Sequence, residues 1–78
     1  MKTPKRPINL VDLLDAYEDG GQKIVSLLID HDSKSDFYDS EDVEFVDPEL
    51  FDRMVQAYEI KEYTKRKIGI HIVLEANT

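Results

Sequence analysis

The sequence predicts a small α+β domain with element order α-β-β-α-β, in which two helices cover a three-stranded, mainly antiparallel sheet. Three observations predict it. Leu10, Leu13, Leu14 and Tyr17 recur at helical spacing between a capping Asn9 and Gly20-Gly21. Apolar, β-branched stretches at 23–29 and 67–75 have the composition of strands. Asp47-Pro48-Glu49 opens a further apolar repeat of helical period.

Taken in order, residues 1–8 hold Pro4 and Pro7 among Lys2, Lys5 and Arg6, which predicts an extended basic arm. Asn9 can accept hydrogen bonds from the free N–H groups of a first helical turn, so helix 1 is placed at 10–19, with Gly20-Gly21 ending it. Lys23 to Ile29 is apolar on both alternating faces, as an interior strand requires. Residues 30–41 are rich in Asp and Ser and predict a loop. Val43 and Phe45 alternate with Glu44, which predicts a second strand over 42–46, paired with the first in a wide antiparallel hairpin. Leu50, Phe51, Met54, Val55 and Tyr58 then predict a second helix over 48–59, extending to 64 if Tyr58 to Thr64 follow it. Lys67 to Glu75 alternates Ile68, Ile70, Ile72 and Leu74 with Gly69, His71 and Val73, and predicts the last strand.

At 78 residues the chain makes one acidic domain, residues 1–78, with a small core. It contains no Cys, so neither disulfides nor thiolate metal sites reinforce it. Apolar residues on both faces of two strands leave sheet surface for two helices to miss, and a homodimer is the expected way to cover it. The longest apolar run is far shorter than the roughly 20 residues that cross a bilayer, and the basic N-terminus leads into Asp12 and Asp15 rather than an apolar stretch. A cytoplasmic location is expected.

The net charge of −7 is unevenly placed. Residues 30–52 carry ten acids against Lys34 alone, a local balance of −9, while the other residues sum to +2. Such a field repels nucleic acid and anionic lipid and speeds encounters with basic proteins.

Chemistry finds little purchase. Asp30, Asp32 and Asp36 with Glu41 mimic part of a calcium-loop spacing, but Lys34 stands where an oxygen ligand belongs and Ser35 where the turn needs Gly. His31 and His71 lack sequence-local partners at ligand spacing, and Gly20-Gly21 lacks the residues of a phosphate loop. The serines have no evident base and orienting group. No catalytic residue, metal site or cofactor is expected, and the chain is read as a binding protein.

The acid run has two readings, a solvated surface or a row of carboxylates standing in for the closely spaced phosphates of duplex DNA. Under the second, the binding residues are Asp32, Asp36, Asp39, Glu41, Asp42, Glu44, Asp47, Glu49 and Asp52. Phe37 and Tyr38 lie within the same stretch, either packed on the sheet as a lid or serving as aromatic anchors for a partner. In size, acidity, absence of Cys and the Asp-rich span from Asp30 to Asp52, the chain resembles the small acidic early proteins of phages. These include DNA-mimic inhibitors of restriction enzymes, uracil-DNA glycosylase and nucleoid proteins, and in particular the Bacillus phage inhibitor of the nucleoid protein HU. The resemblance is one of charge character and carries over no individual residue. It implies inhibition of a basic DNA-binding protein, HU among the candidates, in a host cytoplasm, without direct contact to nucleic acid. The alternative class is an antitoxin or regulatory adaptor that holds a protein partner on an apolar sheet or helix surface.

Overall fold

A computed structural model describes residues 1–76, except for the side chain of Glu44. One α-helix, α1 (Leu10–Asp19), precedes β1 (Lys23–His31) and β2 (Lys34–Asp39). Two short 3-10 turns, Val43–Phe45 and Pro48–Leu50, lead to β3 (Val55–Thr64) and β4 (Lys67–Leu74). The strands form one mixed, four-stranded sheet in the order β2-β1-β4-β3. β1 is antiparallel to β2 and parallel to β4, and β4 is antiparallel to β3.

Helix α1 falls where its apolar spacing places it. Asn9 accepts a hydrogen bond from the Asp12 N–H at 2.9 Å, closing the first turn, and Leu10, Leu13 and Leu14 are buried. Gly21 continues the chain at φ 86°, in the left-handed region that favours glycine. The Lys23 N–H then donates to the Arg66 carbonyl at 2.6 Å, which sets β1 beside the start of β4.

The expected three-stranded sheet with two helices is wrong in two places. The second strand is not 42–46 but Lys34–Asp39, inside the stretch expected to be a loop. Asp32 and Ser33 take left-handed φ values of 49° and 64°, which closes a two-residue hairpin of the primed type that matches the twist of paired strands. The usual Asn-Gly or Asp-Gly signal for that turn is absent, and the polar Asp/Ser composition concealed it. Residues 43–45 instead form a 3-10 turn that leads to buried Val46.

The second helix over 48–59 is also absent. Pro48–Leu50 makes a single 3-10 turn with Asp47 accepting from the Glu49 N–H, and Val55 to Thr64 is the edge strand β3. Leu50, Val55 and Tyr58 recur at helical spacing, and Val55 and Tyr58 share the core face of a strand only because the register shifts between Val55 and Ala57, so spacing alone does not reveal the strand. Pairing does, because β3 satisfies the outer backbone groups of β4, the strand richest in buried isoleucine.

The core lies on one face of the sheet, where Ile24, Leu27 and Ile29 of β1 and Ile68, Ile70, Ile72 and Leu74 of β4 are buried. Leu10, Leu13 and Leu14, with Val46, Leu50 and Val55, complete it. Each such side chain contributes about 1.5–3 kcal/mol relative to exposure. The N-terminal arm is extended, and it lies against the β3 edge: Lys2 and Tyr58 exchange backbone hydrogen bonds of 2.8 Å in both directions.

Candidate functional site

The sheet's second face carries no helix. Register places Ser35, Phe37 and Asp39 of β2 beside Ser26, Leu28 and Asp30 of β1, then Gly69, His71 and Val73 of β4, then Lys61 and Glu59 of β3. A shallow groove of about 430 Å³ runs over this face between Leu28, Phe37, Tyr63 and His71. Phe37 is 65% exposed and Tyr63 50% exposed.

Tyr63 follows Glu59 and Lys61 on the groove face of β3 and sits at a bulge. The β3–β4 register shifts between Glu62 and Thr64, leaving Tyr63 as the extra residue. Its hydroxyl lies 3.3 Å from Ser26 Oγ, on the far side of β4, and the ring covers Gly69. The Lys61 ammonium stands 5.3 Å from the ring centroid, within cation–π range.

Asp30 is central on this face. It accepts a short hydrogen bond from Ser35 Oγ, and its other oxygen lies 2.7 Å from His71 Nε2. The Ser35 bond, then His71, hold its carboxyl below the usual carboxylate range. Ser35 and His71 both bind the carboxylate, so the trio braces β2, β1 and β4 and does not place a base against a serine nucleophile.

A second network closes the opposite face at the hairpin end. His31 Nε2 lies 2.6 Å from Asp36, and Arg53 grips Asp32 with contacts of 2.6 and 3.2 Å while donating to the Glu75 carbonyl at 2.6 Å. Arg53 thereby ties the β1–β2 turn to the end of β4. Its donors hold the Asp32 carboxyl below the ordinary range. The Arg53→Ala variant is expected to lose about 1 kcal/mol from the Glu75 bond alone. A pH-dependent part is lost with it. Because folding lowers the Asp32 pKa, its contribution is full above the unfolded value, 3.8, and disappears as pH falls through the lower folded value. Denaturant titrations from neutrality to strong acid should therefore show a shallower acid-side fall for the variant than for the parent.

The sequence-predicted binding acids separate into three sets. Asp32 and Asp36 are engaged by Arg53 and His31. Asp39 accepts from the Glu41 and Asp42 N–H groups, and Asp47 from that of Glu49, so these two shape turns while remaining exposed. Among the described residues, Glu41, Asp42, Glu49 and Asp52 are exposed and make no ion pair. The Glu44 side chain lies outside the described residues. The two candidate aromatics fall on opposite faces: Phe37 stands exposed in the groove, while Tyr38 is half-buried against the core.

Asp39, Glu41 and Asp42 converge on one turn. The charge of Asp39 is the main reason the Asp42 carboxyl is held above its ordinary range, with Glu41 adding to it. That is the signature of negative charge in local excess. Sequence reasoning missed Arg53, Ser26, Gly69 and Tyr63. The available signal was the glycine inside a β-branched strand, which marks close approach by another group. Among the described residues no cluster of His and acidic side chains has metal-binding geometry, and no helix is long and apolar enough to cross a membrane. Comparison with models of protein families, with curated proteins and with solved structures gives no match to this chain.

Proposed function

We propose that this chain is an acidic binding domain that engages a basic protein, of the kind that otherwise holds nucleic acid, and competes with its ligand. The observation that carries the reading is the turn after β2, where Asp39, Glu41 and Asp42 crowd together beside exposed Phe37. A cationic partner relieves that repulsion, and the aromatic ring supplies contact area that carboxylates lack. The internally paired acids, Asp30, Asp32 and Asp36, build the scaffold, so the binding charge is narrower than the whole −9 segment.

The test uses a basic DNA-binding protein such as HU with labelled duplex DNA. The chain should displace the DNA, and its affinity should fall steeply with added salt. Replacing Asp39, Glu41 and Asp42 together by their amides should weaken displacement at least tenfold, whereas Asp12→Asn on the helix should leave it unchanged. Binding that ignores salt removes charge recognition. Exposed Phe37 and Tyr63 on the uncovered face favour one second reading, an adaptor whose partner stays bound in high salt.

A further inference from the structure

The two edges of the sheet are treated differently. Along β3, the N-terminal arm exchanges hydrogen bonds with Tyr58, and the Val55 N–H donates to the Ile8 carbonyl at 2.9 Å. Among the described residues, no segment pairs with the outer edge of β2. The two-residue turn fixes which of its backbone groups are free. His31 and Lys34 close the hairpin as a bonded pair, so Lys34, Asp36 and Tyr38 turn their N–H and C=O groups toward β1. Ser35, Phe37 and Asp39 turn theirs outward. The Asp39 carbonyl already accepts from the Asp42 N–H at 3.0 Å, which leaves the outward groups of Ser35 and Phe37 and the Asp39 N–H.

From this edge and the side chains along it, we infer that an extended basic segment of the partner adds as a strand beside β2. The inference rests on the acidic-binding reading above and gives it a geometry. A strand laid there continues the sheet, with alternate side chains meeting the two rows of β2. On the uncovered face those are Ser35, Phe37 and Asp39; on the other they are Lys34, Asp36 and Tyr38. An apolar side chain opposite Phe37 covers its exposed ring against Leu28, its partner in β1. Basic side chains beside it meet Asp39 and, beyond the strand end, Glu41 and Asp42. A second copy of this chain fits the edge less well, because its β2 brings only Lys34 as a lysine or arginine to set against Asp39, Glu41 and Asp42.

The probe is a short peptide of alternating lysine and valine, compared with the same peptide N-methylated at every second amide in each of the two possible frames. Methylation keeps the charge and removes the strand-pairing donors. The unmodified peptide should bind at low salt and slow amide exchange at Ser35, Phe37 and Asp39, and one methylated frame should bind at least tenfold more weakly, the loss expected for two or three hydrogen bonds. Phe37→Pro, which removes an outward N–H on an edge strand where proline is tolerated, should bind more weakly than Phe37→Ala. If both methylated frames bind as well as the parent and the three amides stay unprotected, strand addition is wrong while acidic binding survives. If no peptide binds even at low salt, both readings fall. Concentration-dependent protection of the same amides in the protein alone would assign the edge to a second copy and overturn the inference.

Discussion

Ile72→Ala is expected to lose about 2–5 kcal/mol and to melt at least about 8 °C below the parent chain. Ile72 is fully buried within β4, opposite Ile29 on one side and Tyr58 on the other. Removing its outer carbons forfeits the transfer energy and leaves a cavity between two paired strands, where the backbone has little freedom to collapse. A domain of this size has a stability of only about 4–12 kcal/mol, so the loss is a large share of the total. For small domains each kilocalorie moves the midpoint by about 4–8 °C. Val73→Ala, one residue along and on the uncovered face, should cost less than about 1 kcal/mol, because that half-buried side chain already borders solvent. Thermal melts followed by circular dichroism separate the two. Equal losses would mean that the uncovered face is packed as tightly as the core.

The contrast between these neighbours also shows what the sequence could reveal. The alternation of Ile68, Ile70, Ile72 and Leu74 is a short-range pattern, and so are the Leu10, Leu13, Leu14 repeat and the Asn9 cap; each was legible because the residues that decide it are adjacent. The β3 segment was not. Leu50, Val55 and Tyr58 satisfy a helix wheel, and the decision for a strand comes from β4, whose far edge needs a hydrogen-bonding partner. The β2 hairpin was hidden for a different reason. Its turn uses Asp32 and Ser33 at positive φ, where glycine or asparagine usually announces the conformation.

The candidate site was legible as charge and not as geometry. Asp39, Glu41 and Asp42 were visible as part of an acidic run, but nothing local distinguishes them from Asp30, Asp32 and Asp36. The difference lies in His71, Arg53 and His31: two of these partners are remote in sequence, and His31 meets Asp36 only through the unanticipated hairpin. Unequal roles make the acids separable by titration as well as by mutation. Asp32 strengthens the fold once ionised, whereas folding raises the Asp42 pKa, so its contribution is full below the unfolded value and is lost as pH rises through the folded one. A fold that keeps such a repulsive turn at neutral pH leaves that turn available to an external cation.

Gly69→Ala is expected to cost about 1–3 kcal/mol, the penalty of adding a carbon where there is no room. A Cβ at this position would overlap Ser26 Oγ and approach the Tyr63 ring to 3.0 Å, and the residue is buried despite lying on the uncovered face. Tyr63 is the bulged residue of β3 and lies across the glycine toward β1, so the added carbon lifts the ring and opens the contact with Ser26. Denaturant unfolding should give the loss, and the ring protons of Tyr63 should shift in the NMR spectrum of the folded variant. The nearest obstacle is a single hydroxyl, which makes the explanation separable from a general weakening of β4. In a Ser26→Ala background the same Gly69→Ala change meets one obstacle fewer and should cost measurably less, a coupling expected only between residues in direct contact. Strict additivity would place the cost in the backbone of β4 instead. A coupled loss would identify Gly69 as the residue that lets an aromatic ring lie flat over the sheet and form one wall of the groove beside Phe37.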